Sequence, residues 1–444
     1  MRKAIILAAL AIATTVAFAQ TQDTAGFTMQ AGISLGTDVI TVNGVAQTYN
    51  SLGFKPDVAL GPFGIGLDLT IRFRLMPDPD NPEKMVEIYP GDWVPADFNE
   101  FFDLYLPKIM YIRFGQRGEP LFVKLGSIED LTLGNGFLVG NYSNTRFLPQ
   151  LRIFGMELGL DGQLFNFPLV GIQALTGNLA RLDVFGSRLF IRPLTWTSIP
   201  IFKNIQLGGT IAMDRTPGLY TGLDQEQIMI AGADIMLPII QNQLFPLAAF
   251  MEMGFQPGDR SGFMLGVGGR LLGFLSYGAQ LRLLGAGFIP VYFDANYDLY
   301  RSSKATFMQT TPVGDGFAGW LASLGTSLFD DMIFFNISVD GPFKPAPATR
   351  SDSQADYPHL RGVAGLAEGI IGGLSFDAVY EKYFLGANDK TFFADLIDPT
   401  DAVISAAINY RSGSAVFTLL YNLRWDPSKK DFDITSSLQT TIKF

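Results

Sequence analysis

Phe432-Asp-Ile-Thr-Ser-Ser-Leu-Gln-Thr-Thr-Ile-Lys-Phe444 ends the sequence, and its two faces differ sharply. In steps of two, one face reads Phe444, Ile442, Thr440, Leu438, Ser436, Ile434 and Phe432; the other reads Lys443, Thr441, Gln439, Ser437, Thr435 and Asp433. Successive side chains of a strand point to opposite faces. The stretch therefore predicts a strand that is mainly apolar on one side and wholly polar on the other, with aromatics at both ends of the apolar side. A soluble protein would lay that apolar side over a core. A membrane barrel would turn it to lipid and the polar side to water in the lumen.

The N-terminus sets the compartment. Arg2 and Lys3 precede the apolar run Ala4 to Ala13, and Ala17-Phe18-Ala19 offers small residues at both cleavage positions. This predicts a secretory signal peptide over residues 1–19, followed by one domain from Gln20 to Phe444. Beyond it, no stretch supplies the roughly 20 apolar residues of a membrane helix. The best candidate, Ile235 to Phe250, is broken by Pro238, Gln241, Asn242, Gln243 and Pro246. Yet 48% of the residues are hydrophobic and 38 are Phe. Only helices and closed barrels satisfy every backbone group in lipid. An exported chain this apolar without helical spans is thus either a large soluble all-β protein or a transmembrane barrel. No Cys and one His leave little room for metal sites, and the reading calls for no metal and no cofactor. The net charge of −10 becomes −12 once Arg2 and Lys3 leave, which argues against nucleic acid as a partner.

The two-faced rhythm recurs along the chain. Ile65, Leu67, Leu69, Ile71, Phe73 and Leu75 alternate with Gly66, Asp68, Thr70, Arg72 and Arg74. Phe154 to Asp161, Ile205 to Asp214 and Ser276 to Leu283 repeat the pattern, as does Phe27 to Leu35 near the start. Runs of about nine to twelve residues suit a tilted strand crossing a bilayer. Some connectors are tight, such as Gly115 to Pro120 and Ser412-Gly413. Others are long and polar: Pro77 to Asp103, Asp214 to Gln227, Phe343 to His359 and Gly386 to Asp401. Short turns on one rim and long loops on the other is the outer-membrane pattern. The expected fold is all-β, a transmembrane antiparallel up-and-down β-barrel with an even strand number between 14 and 20, about 18 preferred. Val39 to Tyr49, around Asn43-Gly44, reads as hairpin arms extending into a loop.

On the signal peptide, the alternating strands and the terminal Phe444 strand, the chain resembles Gram-negative outer-membrane β-barrel proteins, porin-like channels in particular. The resemblance is one of architecture over the whole mature chain and points to no subfamily. It implies outer-membrane lipid as surroundings and the barrel-assembly machinery as a partner. That machinery would read Phe444, Ile442 and Leu438, while Thr440 and Ser436 depart from the pattern. A homo-oligomer is open by analogy with porins.

Several constellations could carry function. Asp68, Arg72, Arg74, Arg188, Arg192, Arg282, Glu157, Asp161, Asp214, Asp234 and Glu252 fall on polar faces. Facing lipid would cost an Arg or Lys about 2–4 kcal/mol at the midplane. Asp68, Arg72, Arg74, Arg113, Lys124, Glu157, Arg188, Asp234, Glu252 and Arg282 are the pore-lining candidates. The acidic stretch Pro77 to Asp103 either folds inward, setting Asp92, Asp97 and Glu100 opposite Arg72, Arg74, Arg113 and Lys124 as a constriction, or is a solvated loop. Its Asp78-x-Asp80 start fails as a calcium loop, because Pro82 stands at the fifth position with no Gly after it. Ser127 to Thr145, rich in turn formers, is an inward plug, a constriction loop or an irregular strand pair. Gly314 to Gly319 spells G-x-G-x-x-G but has no strand and helix around it, so it reads as a turn into a strand. His359, after Pro358, reads as an exposed rim residue without a role, since no triad assembles around it.

These observations favour a passive diffusion channel for small hydrophilic solutes, with an open pore rather than a sealed barrel. No covalent chemistry is expected. The alternatives are a transporter of hydrophobic substrates such as long-chain fatty acids, suggested by the Phe and Met content, and a surface adhesin or structural barrel.

Overall fold

The computed structural model describes residues 27–42, 45–75, 86–93, 95, 98–148, 151–310, 315–329, 332–344, 347, 350, 356–387, 391–426 and 430–443. The signal segment and Phe444 lie outside them. The strands, in order, are β1 (Phe27–Gln30), β2 (Gly32–Val42), β3 (Val45–Phe54), β4 (Asp57–Leu60), β5 (Phe63–Leu67), β6 (Leu69–Leu75), β7 (Val86–Ile88), β8 (Ile109–Phe114) and β9 (Leu121–Gly126). Then come β10 (Leu131–Leu133), β11 (Val139–Tyr142), β12 (Gly155–Asp161), β13 (Val170–Thr176), β14 (Val184–Ile191), β15 (Gln206–Asp214), β16 (Ile228–Ile240), β17 (Leu247–Gln256), β18 (Arg260–Leu271) and β19 (Leu275–Leu284). The last are β20 (Phe317–Leu328), β21 (Ile333–Pro342), β22 (His359–Ile371), β23 (Leu374–Lys382), β24 (Ala402–Ser412), β25 (Ala415–Asp426) and β26 (Asp431–Lys443). Among the described residues four α-helices interrupt them: α1 (Phe98–Tyr105), α2 (Pro200–Lys203), α3 (Tyr297–Thr310) and α4 (Phe392–Leu396). None of the described helices is long and apolar enough to cross a membrane.

All strands except β10 and β11 join one antiparallel sheet of twenty-four segments. From β12 to β26 each strand pairs with the next in sequence, joined across α3 by β19 and β20. β26 in turn pairs with β2, from Gly32 opposite Lys443 to Asp38 opposite Ser437. The expected eighteen strands are too few. Ala31, Lys55-Pro56 and Asp68 each interrupt an otherwise continuous run, splitting three long strands into β1/β2, β3/β4 and β5/β6. Pro56 has no N–H to give the ladder, so a break there follows from its chemistry. Backbone bonds bridge the breaks: Lys55 N donates to Gly32 O at 3.0 Å and Leu67 N to Pro56 O at 2.9 Å. Val39 to Thr48 pairs only within the β2–β3 hairpin, beyond the reach of β26 and β6.

The burial of side chains is inverted relative to a water-soluble protein. On β17, Met251, Met253 and Phe255 are exposed, while Glu252 is 1% exposed and Gln256 is buried. On β14 and β15, Leu189 and Ile211 are exposed, and Arg188, Thr210 and Asp214 are buried. On β26 Ile434, Leu438 and Ile442 are exposed and Ser437 is buried. Soluble monomers rarely expose contiguous apolar patches beyond roughly 300–600 Å². An apolar face repeated on strand after strand needs an apolar surrounding.

The five longest connections, 76–108, 127–154, 285–316, 343–358 and 383–401, all leave from the same end of the strands. The tight turns at 61–62, 115–120, 272–274, 372–373 and 413–414 lie at the opposite end.

Candidate functional site

Two of the long connections turn onto the buried face and build one body. In 127–154, β10 and β11 form a hairpin. In 285–316, a series of turns bridged to Val139 at Phe293 leads into α3. The two are stitched by backbone bonds: Val291 N donates to Phe137 O at 2.7 Å, Phe293 N to Leu138 O at 3.1 Å and Gly140 N to Phe293 O at 3.1 Å. Around this seam Leu133, Phe137, Leu138, Tyr142, Phe288, Tyr292, Phe293, Tyr297, Ala305 and Met308 are buried together. Sheet residues Leu175, Val184, Ala212, Ile228, Ile230, Met264 and Leu284 complete the cluster. The segment Ser127 to Thr145 is therefore a strand pair packed, with 285–316, on the buried face of the sheet, and the two together are called the plug.

Glycines on the sheet make room for it. A Cβ on Gly232 would stand 2.6 Å from Leu138, one on Gly254 2.6 Å from Leu138 and 3.0 Å from Phe288, and one on Gly262 2.6 Å from Phe288. Gly254→Leu should thus unseat the hairpin. Overpacking of this kind costs about 1–3 kcal/mol. Limited proteolysis should cut faster between Leu131 and Tyr142 in this variant, whereas Gly209→Ala, whose Cβ meets nothing nearer than 3.9 Å, should leave cleavage unchanged.

Polar latches fix the plug. Arg301 of α3 grips Asp214 through Nη2 at 2.6 Å and Nε at 2.9 Å, and Asp183 through Nη1 at 2.9 Å. Tyr297 donates to the same Asp214 at 2.7 Å. Lys304 binds Asp294 at 2.6 Å and Tyr292 O at 2.9 Å. Gln256 on β17 exchanges two hydrogen bonds with the backbone of Ile289, at 2.7 and 3.0 Å. At the hairpin tip, Glu252 accepts the N–H of Asn135 at 3.0 Å.

A second inward contact lies over β6. Asp92 is buried and accepts from Arg72 Nη1 at 2.7 Å and from Arg72 N at 2.7 Å, while Arg72 Nε reaches Asp38 at 3.1 Å. Arg74 pairs with Glu87 at 2.6 Å. The stretch after β6 thus does set carboxylates on basic sheet residues, in direct contact rather than across a gap. Asp97 lies outside the described residues. Glu100 lies on α1. Asp68 pairs with Arg152 at 2.7 Å.

Where the plug meets β19 to β23, a cavity of about 110 Å³ remains. Its polar lining includes Arg282, Asp340, His359, Arg361 and Glu381 from the sheet, and Asn141 and Asp294 from the plug. His359 corrects its sequence reading. It is not a bare rim residue: Nδ1 stands 3.0 Å from Asp340 and Nε2 2.9 Å from Glu381, and its ring stacks on Tyr383 at 4.6 Å. Pro358 marks the strand start, but register puts His359 opposite Asp340, which a single sequence does not reveal. Arg282 holds the other oxygen of Asp340 at 3.0 Å. Arg361 lies 3.8 Å from Glu381 and 3.6 Å from Asp130. Beside them Arg146, from the segment after β11, donates Nε to Ala295 O at 2.9 Å. No described carboxylate forms an ion pair with it. Burial holds its guanidinium below the ordinary arginine value, with Glu381 opposing and Arg361 reinforcing that effect.

The remaining candidates take these places. Arg113, Lys124 and Glu157 stand in one row of the register, with Arg117 closing on Glu157 at 2.6 Å. Arg188 and Asp234 form a two-point ion pair at 2.6 and 2.8 Å, with Glu252 opposite Asp234. Ile442 and Leu438 are on the exposed face, as anticipated, and Phe444 lies outside the described residues. Sequence reading missed Arg146, Arg301, Lys304, Asp340, Arg361 and Glu381. For α3 a signal exists: Asp294 accepts Asn296 N at 3.0 Å ahead of a Leu, Lys, Ala and Met stretch free of Gly and Pro.

No family model and no curated protein matches the chain. Among solved structures, it is similar to the outer membrane protein OprD from Pseudomonas aeruginosa, at 10% identity over 95% of both chains with a TM-score of 0.36. It is also similar to Pseudomonas aeruginosa OpdO, at 11% identity over 94% of this chain and 97% of that one, TM-score 0.38. A third is Wzi from Escherichia coli, described as a carbohydrate-binding β-barrel involved in capsule assembly, at 12% identity over 94% and 84%, TM-score 0.36.

Proposed function

We propose that the chain is an outer-membrane channel for small hydrophilic solutes, exported by its N-terminal signal, in which solutes pass beside a plug rather than through an open pore. The inverted burial supports the membrane setting most strongly: on β14, β15, β17 and β26 apolar side chains are outward and polar or charged ones inward. The sheet is read as a closed barrel. Joining the three interrupted runs and setting aside the three-residue β7 turns twenty-four segments into twenty antiparallel spans, and the β26–β2 pairing joins the last span to the first. An even count and full pairing are what lipid demands.

The apolar core of the plug packs on β13 to β19 and its polar edge on β22 and β23, so the free interior is read toward β24 to β26. There the inward row is neutral and polar: Asn409 faces Thr418, which faces Gln439, and Ser405 faces Asn422, which faces Thr435. The charged lining of the cavity is read as the charge filter beside it. Arg282 and Arg361 are answered by Asp340, Glu381 and Asp130, and Lys304 by Asp294. Arg146 beside the cavity has no ion-pair partner among the described residues, and that unanswered cation favours small anions, since rings of charge set ion selectivity. The reading needs no cofactor and no covalent step. The apolar side chains of the plug are taken up by packing on one another, which weighs against a hydrophobic-substrate path. In a salt gradient across a planar bilayer, the reversal potential should indicate anion preference, and Arg146→Glu should move it toward cations by several-fold in permeability ratio. An unchanged reversal potential would remove Arg146 from the filter.

A further inference from the structure

Both halves of the plug are docked by clusters in which carboxylates outnumber cations. At α3, Arg301 serves Asp183, Asp214 and Asp298, and all four are buried. Arg301 is fully engaged by Asp214 and Asp183, while Asp298 Oδ1 stands 3.9 Å away and Asp298 Oδ2 has no hydrogen-bond partner among the described residues. At the hairpin tip, Arg188 is engaged by Asp234. Glu252 offers Oε2 to the N–H of Asn135 and Phe137, and its Oε1 likewise has no partner. Two separate docking points thus share one anomaly: a surplus carboxyl, buried, with one oxygen unanswered. Buried unpaired charge is too costly to persist, and such groups neutralise instead.

We propose that Asp298 and Glu252 carry protons while the plug is seated, so that the plug is a proton-latched gate that loosens as pH rises. The groups facing Asp298 are Arg301 on its own helix, Asp183 and Asp214 from the sheet, Asp294 from the approach to α3, Tyr142 from β11 and Tyr220 from the connection after β15. Those facing Glu252 are Asp234 and Arg188; the hairpin brings it only backbone N–H groups. Burial pushes the Asp298 carboxyl up to about 7; Arg301 pulls it back, and Asp183, Asp214 and Asp294 push it further. In an undocked helix the same carboxyl meets water and titrates near 3.8. The seated state binds the proton more tightly. Seating is therefore fullest below about pH 4, weakens as pH rises from about 4 to about 7, and levels off above. One proton changes the seating constant by about tenfold per pH unit in that window.

Hydrogen exchange in detergent, corrected for intrinsic rate, tests this between pH 5 and pH 8. Protection of Tyr297 to Thr310 in the wild type should fall about tenfold per unit up to pH 7 and then flatten. Asp298→Asn should remove that slope from α3, and Glu252→Gln should flatten the slope of Leu131 to Tyr142, with the long strands unchanged. A pH-independent wild type overturns the latch without recourse to any variant. So does an unaltered slope in Asp298→Asn, or protection at pH 8 restored by sodium chloride, which would assign the site to a metal cation. Exchange needs no conduction. A silent channel would leave the latch standing, and a pH-insensitive plug would leave the channel standing.

Discussion

Arg301→Ala should release α3 and open the lumen. The substitution leaves Asp183 and Asp214 buried without their cation, and breaking a buried pair from one side costs about 3–5 kcal/mol. Arg301 also anchors the helix to two places on the sheet at once, through Nη1 to Asp183 and through Nη2 and Nε to Asp214. The plug body is otherwise held to the sheet by packing, the Gln256–Ile289 pair, Glu252 at the hairpin tip and Asn296 on Glu381, so losing this clamp should free the α3 end first. Exchange protection over Tyr297 to Thr310 should drop about 100- to 4,000-fold, by the tenfold per 1.4 kcal/mol relation. Single-channel conductance should rise several-fold, because the freed segment no longer fills one side of the lumen. Arg301→Lys keeps the charge but loses the fork that reaches two carboxylates, and should fall between wild type and Ala.

Leu265→Arg should stop the protein from reaching its folded state in membranes. Leu265 is on the exposed face of β18, 44% exposed, beside the buried Met264. In water, a polar residue at such an exposed position would change stability by no more than about 0.5 kcal/mol. In lipid, Arg at mid-depth costs about 2–4 kcal/mol. Most of the heat-modifiable, folded band on cold gel electrophoresis should be lost. The same substitution at Leu272, in the turn beyond β18, should be tolerated, since the penalty fades toward the interface. Equal folding of both variants would mean that the apolar face does not sit in lipid.

The period-2 pattern made most of the sheet legible. It found the outward rows of β15, β19 and β26 and the inward placement of Arg188, Asp234, Glu252 and Arg282, because one-residue alternation is a local property. It failed where geometry is not local. Strand count slipped because Ala31, Pro56 and Asp68 break runs whose pairing continues. His359 looked bare because its carboxylates, Asp340 and Glu381, lie 19 residues upstream and 22 downstream and meet it only through register. Arg301 was invisible for the same reason, 87 residues from Asp214. Ser127 to Thr145 could be flagged as irregular, but its partner in the plug, Phe288 to Met308, shares no pattern with it.

Recordings of the purified protein in planar bilayers test the central claim most directly. Wild type should give small ohmic steps, and Arg301→Ala distinctly larger ones from the same folded preparation. If neither protein conducts, the polar interior is not a solute path and the channel reading is wrong.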